Sequence, residues 1–198
     1  MKYFLTLTTA LMAMATAAMA ETYVLDPGHT EVRFYWNHAG LTKQSGEWTN
    51  VSGTIDFDGV NAAATKVEIK IDATSLHTGV EDLDAILSGP DFFDTDTYPT
   101  ITFTSTSAVQ TGAKEMRLIG DLKIKDTTVE IALDVNLTFE GSHPLGGFFE
   151  YYEGTWLGAE ATSTLLRTNH GVGLYAPITS DEILLEISAE MRAGGWPQ

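Results

Sequence analysis

The stretch "VEIALDVNLTF" places Val129, Ile131, Leu133, Val135, Leu137 and Phe139 in one phase and Glu130, Asp134, Asn136 and Thr138 in the other. Successive side chains of a strand point to opposite faces, so this alternation makes one face greasy and one wet only if the chain is extended. The same period recurs in "KVEIKID", through Val67, Ile69 and Ile71, and in "EILLEISAEM", through Ile183, Leu185, Ile187, Ala189 and Met191. It also runs through Val32, Phe34 and Trp36, and through Met116, Leu118, Leu122 and Ile124. A chain patterned this way must cover many half-apolar strands.

Eight long strands are expected, starting near Thr30, Glu47, Thr65, Thr100, Lys114, Thr127, Thr155 and Asp181, with a short extra one at "TYVLD". Most are joined by turn signals such as "DGVNAA", "QTGAK" and "KDTT", and connections this short imply antiparallel neighbours. The single helical candidate is Val80 to Ser88, where Leu83, Ile86 and Leu87 share a face. Two architectures bury such strands: a sandwich of two sheets, or an eight-stranded antiparallel barrel that removes the sheet edges.

"MKYFLTLTTALMAMATAAMA" has one lysine, an apolar run from about Phe4 to Ala18 and small residues before Glu21. This is the layout of a cleaved secretory signal over residues 1–20, leaving one domain over 21–198 and an exported, periplasmic location. The formal net charge is −16, with 27 acidic against 11 basic residues, a surface that repels nucleic acid. There is no cysteine, so packing and hydrogen bonds alone hold the fold.

Function turns on whether the barrel is filled or hollow. Small residues recur in the inward phase, at Gly53, Ala73, Ser105, Gly120, Ala159, Ala161, Ser163 and Ala189. A filled barrel also alternates small with large, so the pattern leaves both readings open; Ala159, Ala161 and Ser163 in succession favour a groove. "GPDFFDTDTYPTITF" sits in a link far longer than a hairpin needs, and long loops in compact domains are often lids. Phe92 and Phe93 are read as folding back over the barrel mouth while Asp91, Asp94 and Asp96 face water, against the alternative of a plain hydrophobic plug.

Several segments resemble a known family: "YVLDPGHTEVRFYWNHAG", "GEWTNVSGTIDFDG", "IKIDATSLHTGVEDLDAILSGPDFFDTDTYPTITFTST", "GDLKIKDTTVEIALDV" and "LLRTNHGVG". In this order they are similar to the YceI-like family of bacterial periplasmic proteins across nearly all of residues 21–198. The resemblance implies an all-β, extended, lipocalin-like eight-stranded barrel with one short helix in a long inter-strand loop. It also implies a polyisoprenoid or similar lipid held inside, a homodimer and no catalytic activity. His29, His38, Phe92, Phe93 and Arg167 match the family pattern. Leu83 and Ile86 stand where it usually carries an arginine and a histidine, and Thr168-Asn169-His170 replaces its late "SDF".

The expected ligand-binding residues are Phe34, Trp36, His38, Phe92, Phe93, Phe103, Ala159, Ala161 and Arg167. His38 ends the inward row Val32, Phe34, Trp36, and Arg167 continues the row from Leu157 to Leu165, so both are expected at the mouth. Each has a plain alternative: a solvated histidine, and an arginine paired with Asp82 or Asp84. A lipid tail gains about 0.8 kcal/mol per methylene on leaving water but already has this in a bilayer, so selectivity falls to the head group. An acidic chain lacking two expected basic residues suits a neutral or weakly polar head such as a quinone ring. Transient membrane contact without an anchor is expected.

Enzymatic readings have little to stand on. The five histidines show no HExxH or other tight metal spacing, there is no GxSxG elbow, and no thiol exists. His29 near Asp26 is a base with an orienting carboxylate but has no nucleophile. No cofactor and no metal are expected. The competing class is a filled barrel acting as a protein-interaction module through "GGFFEYYEGTWLG".

Overall fold

The computed structural model describes residues 20–57, 59 and 61–196; the expected signal, apart from Ala20, lies outside them. Among these residues, ten strands and one α-helix follow the chain: β1 Glu21–His38, β2 Thr42–Trp48, β3 Val51–Phe57, β4 Lys66–Asp72, β5 Leu76–His77, α1 Glu81–Ser88, β6 Thr100–Gln110, β7 Glu115–Ile124, β8 Thr127–Ser142, β9 Thr155–Leu166 and β10 Glu182–Ala193. They form one antiparallel sheet in the order β10-β9-β8-β7-β6-β4-β3-β1-β2-β5, which β1 closes by pairing with β10. Both β2 and β3 pair with β1, covering its later and earlier halves. They therefore act as one stave interrupted at Thr49–Asn50, and the structure is a closed eight-stranded barrel.

The expected short strand at "TYVLD" is part of β1, not separate. Between the two expected strands, at Pro27 and Gly28, β1 carries a bulge: register against β10 shifts between Leu25 and Thr30. Proline cannot donate to a ladder and is tolerated where pairing lapses. Asp26, wholly buried, holds the bulge in shape. Its Oδ1 accepts from the Gly28 N–H at 2.8 Å and the Tyr151 hydroxyl at 2.7 Å, and its Oδ2 faces His29 Nδ1 at 2.8 Å.

The far part of the bore is packed by its own side chains, including Tyr23, Leu25, Phe57, Phe103, Leu118 and Leu157. Here the small inward residues complement large ones across the sheet. A Cβ on Gly120 would come within 2.5 Å of the Phe103 ring; nearer the mouth, one on Gly46 would come within 2.4 Å of Phe34. Ser163, also small and inward, donates to the Ala132 carbonyl at 2.7 Å.

Candidate functional site

One cavity of about 530 Å³ opens at the barrel end where β1, β4, β7 and β9 finish and α1 begins. Its floor and walls come from the inward phases of the strands: Val32, Phe34 and Trp36 of β1, Trp48 of β2, Ile71 of β4, Leu122 and Ile124 of β7, Ile183 and Leu185 of β10. Leu83, Ile86 and Leu87 of α1, with Phe92 and Phe93 after it, cover one side. Val172, Tyr175 and Thr179, from the link between β9 and β10, cover the other.

The cover beyond α1 is a folded unit. Gly89 ends the helix, and the backbone returns to it: Phe93 N–H to Leu87 O at 3.0 Å, Asp94 N–H to Gly89 O at 2.9 Å, and Thr95 N–H to Ser88 O at 3.0 Å. This turn drives Phe93 inward, where it meets Trp48 edge-on with ring centres 5.5 Å apart. Trp48 lies 4.7 Å from Phe34, which stacks on Trp36 at 5.8 Å. Phe92 stays half-buried and approaches Tyr175 at 6.5 Å across the mouth. The two phenylalanines thus differ: Phe93 seats the cover in the wall, while Phe92 spans toward the opposite loop.

Asp84 moors the helix. Its Oδ1 accepts from the Thr78 N–H at 2.7 Å and hydroxyl at 2.6 Å, and its Oδ2 lies 3.3 Å from His77 Nδ1. Partial burial pushes the Asp84 carboxyl up, but the Thr78 and His77 bonds outweigh it and hold the group below the ordinary carboxylate range. With Glu81 and Asp82 it also complements the positive end of the helix.

Arg167 lines the cavity, yet its guanidinium is turned to its own loop. Nε donates to Ser180 O at 2.8 Å; Nη1 donates to Val172 O and Leu174 O at 2.6 and 2.9 Å; Nη2 donates to the carbonyl and hydroxyl of Thr179, both at 2.9 Å. All five donors of the fork are in use. The expected alternative, a pair with Asp82 or Asp84, does not form either; burial lowers the Arg167 pKa and nearby Asp181 works against that. Arg167 thus builds the second wall of the mouth.

Of the residues expected to bind ligand, Phe34, Trp36, His38, Phe92, Phe93 and Arg167 line this cavity. Phe103 and Ala161 belong to the packed core, and Ala159 borders a separate hollow of about 380 Å³ shared with His29, His143 and Glu190. Sequence reasoning missed Trp48, Leu87 and Tyr175. Trp48 shares its inward phase with Gly46, a signal that was available; Tyr175 lies in an irregular link and gives none.

The sequence matches the YceI-like domain over residues 23–191. The chain belongs to the YceI-like family. A relative from Pseudomonas savastanoi pv. phaseolicola, named a UPF0312 protein, is 34% identical over 188 residues, covering 94% of this chain and 93% of its own. Protein YceI of Shigella flexneri is 38% identical over 140 residues, 70% of this chain and 73% of that one. Among solved structures, BcnA of Burkholderia cenocepacia superposes with a TM-score of 0.74 at 20% identity, covering 84% of this chain and 98% of that one. A polyisoprenoid binding domain from Saccharophagus degradans, implicated in plant cell wall breakdown, superposes at 0.63 and 14% identity, covering 88% and 99%. At these identities the two structures speak for the fold alone.

Proposed function

We propose that this YceI-like chain is an exported, non-catalytic carrier or store for an isoprenoid or similar lipid with an uncharged head group. The observation that carries this is the apolar cavity at the barrel mouth, covered by a folded turn and with no free lysine or arginine among its described lining residues. Its polar groups include His38, Gln44, Thr179, the Tyr175 hydroxyl, the buried and unpartnered Trp48 Nε1–H, and Arg167, whose fork is already full. A pyrophosphate needs charge-assisted donors that this lining does not supply, whereas a quinone or amide oxygen asks only for neutral ones. The polyisoprenoid binding described for the Saccharophagus degradans domain supports the same ligand class.

The cavity also bounds the ligand. At about 30 Å³ for a water-sized group, the 530 Å³ space takes roughly eighteen such groups, or roughly three to four isoprene units. A longer chain projects from the mouth. The rim there is apolar and exposed: Leu41 on the β1–β2 turn, Val80 just before α1, Ile86 on α1, and Leu174, Tyr175 and Ile178 opposite. In this reading the rim rests transiently on a lipid surface while the tail crosses. Glu81, Asp82 and Asp91 beside it disfavour anionic lipid. The homodimer expected of the family is assigned to the loop carrying Phe148 and Phe149, 79% and 58% exposed.

Trp36 and Trp48 provide the readout. Titration with a prenyl quinone of three or four isoprene units is expected to quench tryptophan emission saturably, while the prenyl pyrophosphate of equal length binds at least tenfold more weakly. Equal or tighter binding of the pyrophosphate defeats the head-group assignment. Absence of saturable quenching by either compound defeats the carrier reading.

A further inference from the structure

Where β1 bulges, a second constellation forms away from the lipid cavity. Asp26 and His29 of the bulge and Glu190 of β10 each present a ligand atom, all lying within 4.8 Å of one another. Three features make this more than a chance meeting of charges. Asp26 is wholly buried, and its Oδ2 sits 2.8 Å from His29 Nδ1. The neutral ring therefore carries its proton on Nδ1 and leaves the Nε2 lone pair free, the arrangement in which a buried carboxylate orients a metal-ligating histidine. His29 is 44% exposed and borders the 380 Å³ hollow, which gives an ion entry and room for water ligands.

Glu190 is backed in the same way. Its Oε2 lies 3.9 Å from His143 Nε2, an ion-pair distance rather than a hydrogen bond. His143 Nδ1 accepts the Leu145 N–H at 3.1 Å, so in the neutral ring its proton sits on Nε2 and faces Glu190. His143 is thereby a partner of Glu190 and not a ligand. Its ring is fixed by stacking on Tyr152 at 4.3 Å, and Tyr151 from the same turn bonds Asp26 at 2.7 Å. One loop thus braces both candidate ligands.

We infer that the His29 Nε2 and a Glu190 carboxylate oxygen bind a first-row divalent transition ion of the Zn²⁺ class, with Asp26 and His143 orienting them and water completing the shell. Imidazole plus carboxylate suits Zn²⁺, Co²⁺ or Ni²⁺ over Ca²⁺ and Mg²⁺, and the absence of thiols removes the usual grip on Cu⁺. Linear spacing hides the site, because Glu190 arrives through the β1–β10 pairing that closes the barrel.

The test is calorimetry with Zn²⁺, and visible absorption with Co²⁺, on untagged, mature-length protein. One equivalent is expected to bind saturably. Glu190→Gln, on the outside of the sheet, weakens binding at least tenfold; His29→Ala abolishes it; Asp26→Asn lowers affinity about 10- to 100-fold through orientation alone. His77→Ala, removing an exposed histidine elsewhere, leaves it unchanged. No saturable binding by the wild type overturns the inference, as does binding that survives both His29→Ala and Glu190→Gln in variants with wild-type melting curves.

Discussion

At the scale of residues, two buried polar groups are decided by what they touch. Arg167 holds five acceptors spread over residues 172–180, a task that needs a planar fork. Arg167→Lys keeps the charge but supplies three donors, so faster amide exchange at residues 172–180 is expected with the rest of the barrel unchanged; unaltered exchange there contradicts the role. His170 is 1% exposed, with Nδ1 unpartnered, and burial lowers its pKa below the usual value. The unfolded chain takes up a proton near pH 6.5 while the folded one does not. Stability is therefore full above that pH and falls by up to about 1.4 kcal/mol per unit below it, until the folded pKa is reached. Urea midpoints at pH 7.5 and 5.5 should differ less in His170→Gln than in the wild type. The residue scale is also where the sequence was least legible. Alternation showed that Arg167 points inward, but its partners lie in a link with no periodicity, so whether the fork was free was beyond reading.

At the scale of elements, α1 and the turn after it form a cover whose seat is Phe93 and whose mooring is Asp84. Phe93→Ala removes a buried ring packed on Trp48 and is expected to cost about 3–5 kcal/mol in a urea melt. Phe92→Ala removes a half-buried ring at the mouth and is expected to cost under about 1 kcal/mol while weakening lipid uptake severalfold in the quenching titration. Equal stability losses for the two would mean that both are core and neither is part of a gate. Because the Asp84 pKa is depressed, its mooring is present at neutral pH and is lost only as pH falls through the lowered folded value. Element positions were readable because each strand had to show one greasy and one wet face. The exceptions have local causes. The strand expected at "TYVLD" runs on into the one expected near Thr30 because Asp26 ties the bulge between them, and the pause at Thr49–Asn50 was missed because β1 spans both β2 and β3.

At the scale of the whole molecule, the barrel is neither hollow throughout nor filled throughout. Its far part is a packed core in which glycines make room for aromatic rings, and its mouth is an apolar chamber under a cover. Small residues in the inward phase could not tell these apart, because a gap opposite Gly120 is filled by Phe103 from the neighbouring strand, a relation across the sheet that no single-strand pattern contains. The apolar rim carries its own expectation: the protein should co-sediment with zwitterionic vesicles when lipid-loaded and bind less to anionic ones, and Leu41→Ser with Ile178→Ser should remove the association without altering quinone affinity. Whether the mouth chamber holds a lipid with an uncharged head is decided by native mass spectrometry of the protein purified from a bacterial host. One bound lipid per chain is expected, identified on release as a neutral isoprenoid or similar amphiphile. Protein that emerges bare, or loaded mainly with prenyl pyrophosphates, would contradict it.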